Sequence, residues 1–307
     1  MVAQQVTSRS PAGHPQRASN VSRVTSADDR TRLRAAIDRA VDTLAEAGVA
    51  SPRVDATALA AYVLGVSQLV LAMPPSLPAD FDAEFAELVE RRRLREPLQQ
   101  IVGFTLFRQV TLRVEPGVFV PRPETEVVAG AAIADHRPLV IDLCSGTGAI
   151  AVSVDVEVPG ADVIAVEVDP VAVALTRTNL GSATTARVVA ADVADPALLV
   201  ELNGTVDVLV SNPPYLRADE IPPDPEVRVH DPGRALYGGG ADGLDVPRAV
   251  VAVAARLLRP GGLFVMEHGD AQGPAVRELV AGIGAFGEIR THADLTGRDR
   301  YVSARHV

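Results

Sequence analysis

Apolar residues along this chain follow two different rhythms. Leu33, Ile37, Val41 and Leu44 recur at three- and four-residue steps, the spacing of one face of an amphipathic helix. The stripe stops at Gly48, a residue able to take the left-handed backbone that closes a helix. Ser51-Pro52 supplies an N-cap followed by a proline whose fixed φ suits the first helical position, and Gly65 closes that second helix. After the Pro74-Pro75 break, Phe81, Phe85, Leu88 and Val89 predict a third helix running into Arg91-Arg92-Arg93-Leu94-Arg95. Short connections between such stripes predict a small helical bundle over residues 28–103. Phe104, Leu106, Val110, Leu112 and Val114 then alternate as strand residues do and predict a hairpin linker over 104–116.

Beyond Pro138 the rhythm changes to short unbroken apolar runs: Leu139–Leu143, Val163–Val166, Arg187–Ala191, Val206–Val210 and Leu263–Met266, with helical segments between most of them. A strand that is apolar on both sides is covered on both sides, so the expected C-terminal domain, residues 117–307, is a doubly wound, Rossmann-like α/β fold. Its ligand is expected beyond the carboxyl ends of the strands.

The chain has 307 residues, which suits two domains. Apolar residues at 47% and charged residues at 22% exclude collagen, coiled coil and wholesale disorder. The longest apolar stretches, Ala58 to Val66 and Val127 to Ala134, fall far short of the roughly 20 residues that a membrane helix needs, so no membrane partner is expected. All 29 basic residues are arginine, and the net charge of −10 argues against holding nucleic acid directly by bulk charge. Residues 1–27 carry three arginines and no acid, which leaves −13 on the remainder. That Arg- and Ser-rich start has the composition of an organellar transit peptide, but a disordered tail or a misplaced start is the expected reading. Cys144 is the only cysteine and the six histidines show no ligand spacing, so neither a disulfide nor a metal site is expected, and a cytoplasmic setting fits.

The first strand of the α/β domain ends in Asp142-Leu143-Cys144-Ser145-Gly146-Thr147-Gly148. The two glycines let the backbone turn sharply and let a ligand approach closely. Glu167, at the end of the second strand, can grip a ribose. Together these residues point to a nucleoside-containing cofactor, and a nicotinamide dinucleotide fits the glycine spacing as well. The discriminating segment is Ser211-Asn212-Pro213-Pro214-Tyr215 after the fourth strand. Asn212 offers an amide oxygen and Pro213 a carbonyl without an N–H. Two acceptors on a stiff Pro-Pro segment suit a planar –NH2 group, one for each hydrogen, and Tyr215 offers a flat face beside it. Such a nitrogen is a poor nucleophile, so holding it in line with a sulfonium methyl is most of the work. No strong general base is required and none is visible.

Asn212-Pro213-Pro214-Tyr215 after a Gly-rich first turn resembles the amino-methyltransferases that use S-adenosyl-L-methionine. The segment Gly117-Val118-Phe119-Val120-Pro121-Arg122-Pro123-Glu124-Thr125-Glu126 is similar to the signature of the HemK-type release factor glutamine methyltransferases. Glu96-Pro97-Leu98 with Gly103, Ala235 to Gly239 with Asp242 to Asp245, and Asp294 to Arg300 extend the likeness over about residues 30–307. The resemblance implies methyl transfer to N5 of the glutamine in the Gly-Gly-Gln motif of class I peptide chain release factors, hence a role in translation termination. It implies that Asn212, Pro213, Pro214 and Tyr215 hold the glutamine amide, with Asn212 also near the cofactor. Cys144, Ser145, Gly146, Thr147 and Gly148 would line the methionine end, Glu167 would bind the ribose, and Asp192 with Val193 would flank the adenine. Phe119, Pro121, Arg122 and Glu124 would wall the active site. Asp142 is open between facing the cofactor ammonium and capping the next turn. An N6-adenine methyltransferase acting on nucleic acid is the alternative, because adenine presents the same two hydrogens. Cys144 stands where that family commonly has glycine and Gln100 where it has tyrosine.

Overall fold

The computed structural model describes residues 26–135, 137–182 and 184–307, so almost all of the expected N-terminal tail lies outside the described residues. The chain separates into two compact units. One comprises the described residues up to Phe104 together with Asp224–His230, and the other comprises the described residues of Thr105–Pro223 together with Asp231–Val307.

The first unit is helical. Helix α1 (Ala27–Glu46) begins at Ser26, whose hydroxyl accepts from the Asp29 N–H, and places Asp28 and Asp29 at the positive end of the helix dipole. Helix α2 (Pro52–Val63) carries the expected N1 proline, although Ser51 makes no side-chain cap. Gly48 and Gly65 take φ of +73° and +66° just past the two helices, as the chain-stopping role requires. Helices α3 (Phe81–Arg93) and α4 (Leu98–Val102) complete the module. Leu33, Ile37, Leu44, Leu59, Phe81 and Phe85 form its core, with the two phenyl rings stacked at 5.4 Å. Each such side chain contributes about 1.5–3 kcal/mol by leaving water.

The second unit begins inside a hairpin of β1 (Phe104–Phe107) and β2 (Val110–Arg113), which packs Phe107, Val110 and Leu112 into its core. There follow α5 (Thr125–Ala134), β3 (Leu139–Leu143), α6 (Ala149–Glu157), β4 (Asp162–Glu167), α7 (Pro170–Leu180), β5 (Arg187–Ala190) and β6 (Val206–Ser211). The short helices α8 (Pro225–His230) and α9 (Gly233–Leu236) precede α10 (Asp245–Leu257), β7 (Leu258–Glu267), α11 (Gly273–Gly282), β8 (Phe286–Ala293) and β9 (Asp299–His306). Seven strands form one sheet in the order β5-β4-β3-β6-β7-β9-β8. The five strands from β5 to β7 are parallel, and β9 pairs antiparallel with both β7 and β8.

The unbroken apolar runs have their expected cause. Along β3, Ile141 and Leu143 face one buried layer with residues of α10 and α11, and Val140 faces the other with residues of α5 and α6. Strand β7 is longer than the Leu263–Met266 run, because Pro260-Gly261-Gly262 is absorbed as an irregularity where the register to β6 shifts. Strand order reverses between β3 and β6, and that crevice is where an open α/β sheet takes its ligand.

Candidate active site

Register places the two sequence-predicted motifs side by side. Leu143, the last residue of β3, pairs with Ser211, the last of β6, and with Val166 of β4. The Ser211 hydroxyl donates to the Leu143 carbonyl at 2.8 Å, tying the roots of the two loops together. The glycine turn, Glu167 and the Asn212 loop therefore leave the sheet at one edge.

The glycine turn is held from several sides. Ser145 N–H donates to the Val166 carbonyl, the Thr176 hydroxyl to the Gly146 carbonyl at 2.7 Å, and the Asn179 amide to the Thr147 carbonyl at 2.9 Å. Gly146 has φ +58° and nothing within 4 Å of where a Cβ would stand, which leaves open space for a ligand. Gly148 has φ +80° and would bring a Cβ to 2.8 Å from the Thr176 methyl. Cys144 takes φ +61°, a left-handed backbone that explains why glycine is the usual choice in the resembled family. Burial pushes its thiol far above the usual range, so it is no nucleophile.

Three groups answer whether this turn suits S-adenosyl-L-methionine. Asp142 Oδ1 and the Ser145 hydroxyl are buried without a protein partner, one an acceptor and one a donor, matching a zwitterionic amino-acid end. The second Asp142 oxygen accepts from the Ala151 N–H at 3.1 Å, so both readings of this residue have a structural basis. Glu167 departs from the simplest expectation. Oε1 accepts from Val168 and Asp169 N–H at 2.8 and 2.9 Å, and Oε2 accepts from Gly146 N–H at 2.8 Å. Of a carboxylate's roughly four acceptor sites three are filled, because the longer glutamate arm folds back over its own turn. Asp192 is exposed with one oxygen closing a turn onto Ala194 N–H, and Val193 is buried beside it.

The Asn212 loop is rigid for reasons that lie outside it. Tyr215 and Leu216 N–H both donate to the Leu236 carbonyl, at 3.1 and 2.8 Å, and the Gln272 amide donates to the Tyr215 carbonyl at 2.9 Å. A Cβ on Gly238 would stand 1.9 Å from the Gly243 carbonyl and 2.6 Å from that of Pro214, and one on Gly243 would stand 2.4 Å from that of Tyr215. The glycines of the Ala235–Asp245 segment are thus required by the loop they back. Asn212 Nδ2 donates to the Thr125 hydroxyl at 3.1 Å, which occupies the donor end of the amide. Among the described residues none donates to Asn212 Oδ1 or to the Pro213 carbonyl. Burial and the nearby Glu267 push the Tyr215 phenol well above its usual range, keeping it neutral.

Phe119, Pro121, Arg122 and Glu124 lie in the stretch that turns into α5. The Arg122 guanidinium lies over the Phe119 ring at 5.0 Å from its centroid and pairs with buried Asp231. Two participants escaped the sequence reading. Thr125 is the partner of Asn212, and Glu267 is 3% exposed at the end of β7, where Ser211 pairs with Met266. A Glu closing the apolar Leu263–Met266 run, two residues before Gly269, was the available signal. His268 is buried with Nδ1 at 2.8 Å from the Gly269 carbonyl.

A sheet reversed at its centre, a glycine turn and a pair of oxygen acceptors at one edge define a Rossmann-like methyltransferase dependent on S-adenosyl-L-methionine. Family models match residues 35–103 as a PrmC N-terminal domain and residues 109–224 as a methyltransferase small domain. A release factor glutamine methyltransferase of Mycolicibacterium smegmatis is 47% identical over 281 residues, covering 90% of this chain and 99% of that protein. One from Streptomyces coelicolor is 46% identical, covering 89% and 98%. The chain belongs to the release factor glutamine methyltransferase family. Among solved structures, a 16S rRNA N2 G1207 methyltransferase of T. thermophilus, complexed with AdoMet and guanosine, is 25% identical with a TM-score of 0.48, covering 66% of this chain and 50% of that one.

Proposed function

We propose that this enzyme methylates the side-chain N5 of the glutamine in the Gly-Gly-Gln motif of class I release factors. The observation that carries the reading is the pair of unclaimed acceptors, Asn212 Oδ1 and the Pro213 carbonyl, held beside a glycine turn at the sheet's reversal point. Bound S-adenosyl-L-methionine supplies a methyl group on a positively charged sulfur. Asn212 and Pro213 each accept one hydrogen of the glutamine –NH2, and Tyr215 lies against the amide plane. Fixing both hydrogens aims the nitrogen lone pair out of that plane, toward the glycine turn. Attack on that methyl group would leave the amide nitrogen with a proton acidic enough to pass to water, so no residue of the site need act as a strong base.

On this reading Asp142, Ser145 and the 144–148 turn hold the methionine end, Glu167 uses its remaining acceptor site on the ribose, and Asp192 with Val193 flank the adenine. Phe119, Pro121, Arg122 and Glu124 bound the substrate side. The helical unit recognises the protein substrate, a role supported by its match to the PrmC N-terminal domain. A release factor substrate places the enzyme in the cytoplasm, consistent with a single cysteine and with no described helix long and apolar enough to cross a membrane. The charge of −10 favours a protein substrate over direct contact with nucleic acid.

Radiolabelled methyl transfer to release factor, to its Gln→Ala variant and to DNA, measured separately, tests the proposal. Label is expected on the release factor alone, and Asn212→Ala is expected to lower turnover about 10²-fold. Label on DNA, or undiminished label on the Gln→Ala variant, would overturn it.

A further inference from the structure

We propose that Glu267, acting through Thr125, is a positioning residue that fixes which way the Asn212 amide faces. The inference deepens the function proposed above and rests on it for its catalytic consequence.

An asparagine amide is nearly symmetric in shape, so a pocket that needs its oxygen must be told which end to present. Thr125 lies on the far side of Asn212 from the acceptor edge, 3.1 Å from Nδ2. A hydroxyl has a single proton. While that proton points at an acceptor, the oxygen can only receive from Asn212, and Nδ2 must be the end facing Thr125. Glu267 is the group placed to be that acceptor. It follows Met266, the residue paired with Ser211, so it stands beside Asn212 at the sheet edge, buried, with its carboxylate near enough to the Thr125 and Tyr215 hydroxyls for both to favour its ionised form. Its Oε2 is buried with no hydrogen-bond partner, which is a costly arrangement for a side chain with only a packing role.

The groups facing Glu267 set the balance between its two protonation states. From the turn before α5 comes Glu124, whose charge disfavours ionisation. From the loop after β6 comes Tyr215, and from β9 comes Arg300, whose charge favours ionisation and which is itself held by Asp294 at 3.0 Å. Burial outweighs these favourable partners and pushes Glu267 up to about 7. Above that pH the carboxylate only accepts and the relay holds. Below it, Glu267 carries a proton that it can donate to Thr125. The Thr125 proton is then released toward Asn212, and the flipped amide would set its –NH2 against the substrate's –NH2. The acceptor pair therefore assembles as pH rises through the Glu267 titration.

The test follows the Asn212 side-chain amide by 15N–1H correlation across pH 5–9 in the full chain, with no substrate needed. The wild-type signals are expected to shift with a midpoint near 7. In Glu267→Gln and in Thr125→Val that titration is expected to vanish, and in Thr125→Ser it is expected to return. Methyl transfer is read in parallel: kcat/KM of the wild type should rise with pH through the same midpoint, and Thr125→Val should lose about tenfold or more. Signals that do not titrate, or that titrate unchanged in Thr125→Val, would overturn the relay. A wild type that leaves release factor unlabelled while its Asn212 signals titrate as expected would instead overturn the proposed function and support the relay.

Discussion

Asp142 shows how burial alone sets the state of a site residue. It is 1% exposed, accepts one backbone hydrogen bond and lies near Glu167, and desolvation pushes its carboxyl up to about 8. The folded chain therefore keeps a proton there that an unfolded carboxyl, near 3.8, gives up. This contribution to stability is fully present below pH 3.8 and is lost as pH rises through 8. Asp142→Asn cannot ionise. Its melting temperature relative to the wild type should climb between pH 5 and 8.5 in parallel thermal scans, and a constant difference would show that Asp142 is already ionised. The residue types at positions 142–148, 167 and 212–215 were legible in the sequence because each group stands at, or directly after, the end of a strand. The fold-back of Glu167 was not, since it depends on where the Gly146 N–H comes to rest.

At the scale of elements, the Asn212 loop is a short stiff segment supported by others distant in sequence. The Leu236 carbonyl, the Gln272 amide and the glycines at 238 and 243 leave it one conformation. Gly238→Ala, whose methyl would collide with two backbone carbonyls, is expected to lower the melting temperature and to cut turnover at least tenfold. Gly282→Ala has nothing within 4 Å and helical backbone, so both quantities should stay close to wild type. Equal effects would mean that the loop does not depend on its glycine backing. Helix and strand positions were readable from periodicity, with Gly48, Gly65 and Pro52 marking boundaries. The length of β7 and its bulge were not, because pairing with β6 and β9 overrides a local Pro-Gly-Gly signal.

For the whole molecule, the least expected feature is the excursion of Asp224–His230 into the helical unit. Glu226 meets Arg92 at 2.8 Å and Arg95 at 2.6 Å, Arg92 also meets Asp55 at 2.7 Å, and Arg95 donates to the Ala47 and Gly48 carbonyls. Burial pushes Glu226 up, but the hydrogen bonds from Arg95, its own backbone and Arg92 outweigh it and hold it at about 2. Its contribution is present above pH 4.5 and lost as pH falls through 2. Glu226→Gln should destabilise the helical unit by about 2 kcal/mol at pH 7, since it removes the carboxylate that two arginines share, and the gap to wild type should narrow in denaturation at lower pH. A gap independent of pH would remove charge as its cause. The arginine run at 91–95 read from sequence only as the end of the third helix, and two of its four arginines form a clamp on Glu226. What the sequence determined by itself is local: two hydrophobic periods, the prolines and glycines that punctuate them, and a motif whose acceptors follow from residue type. What only the tertiary structure decided is which distant groups meet. Strand order brings the 144–148 turn against the 212–215 loop, Thr125 and Glu267 reach Asn212, and a short segment crosses into another unit, because side-chain pairing across long stretches of chain leaves no periodic trace.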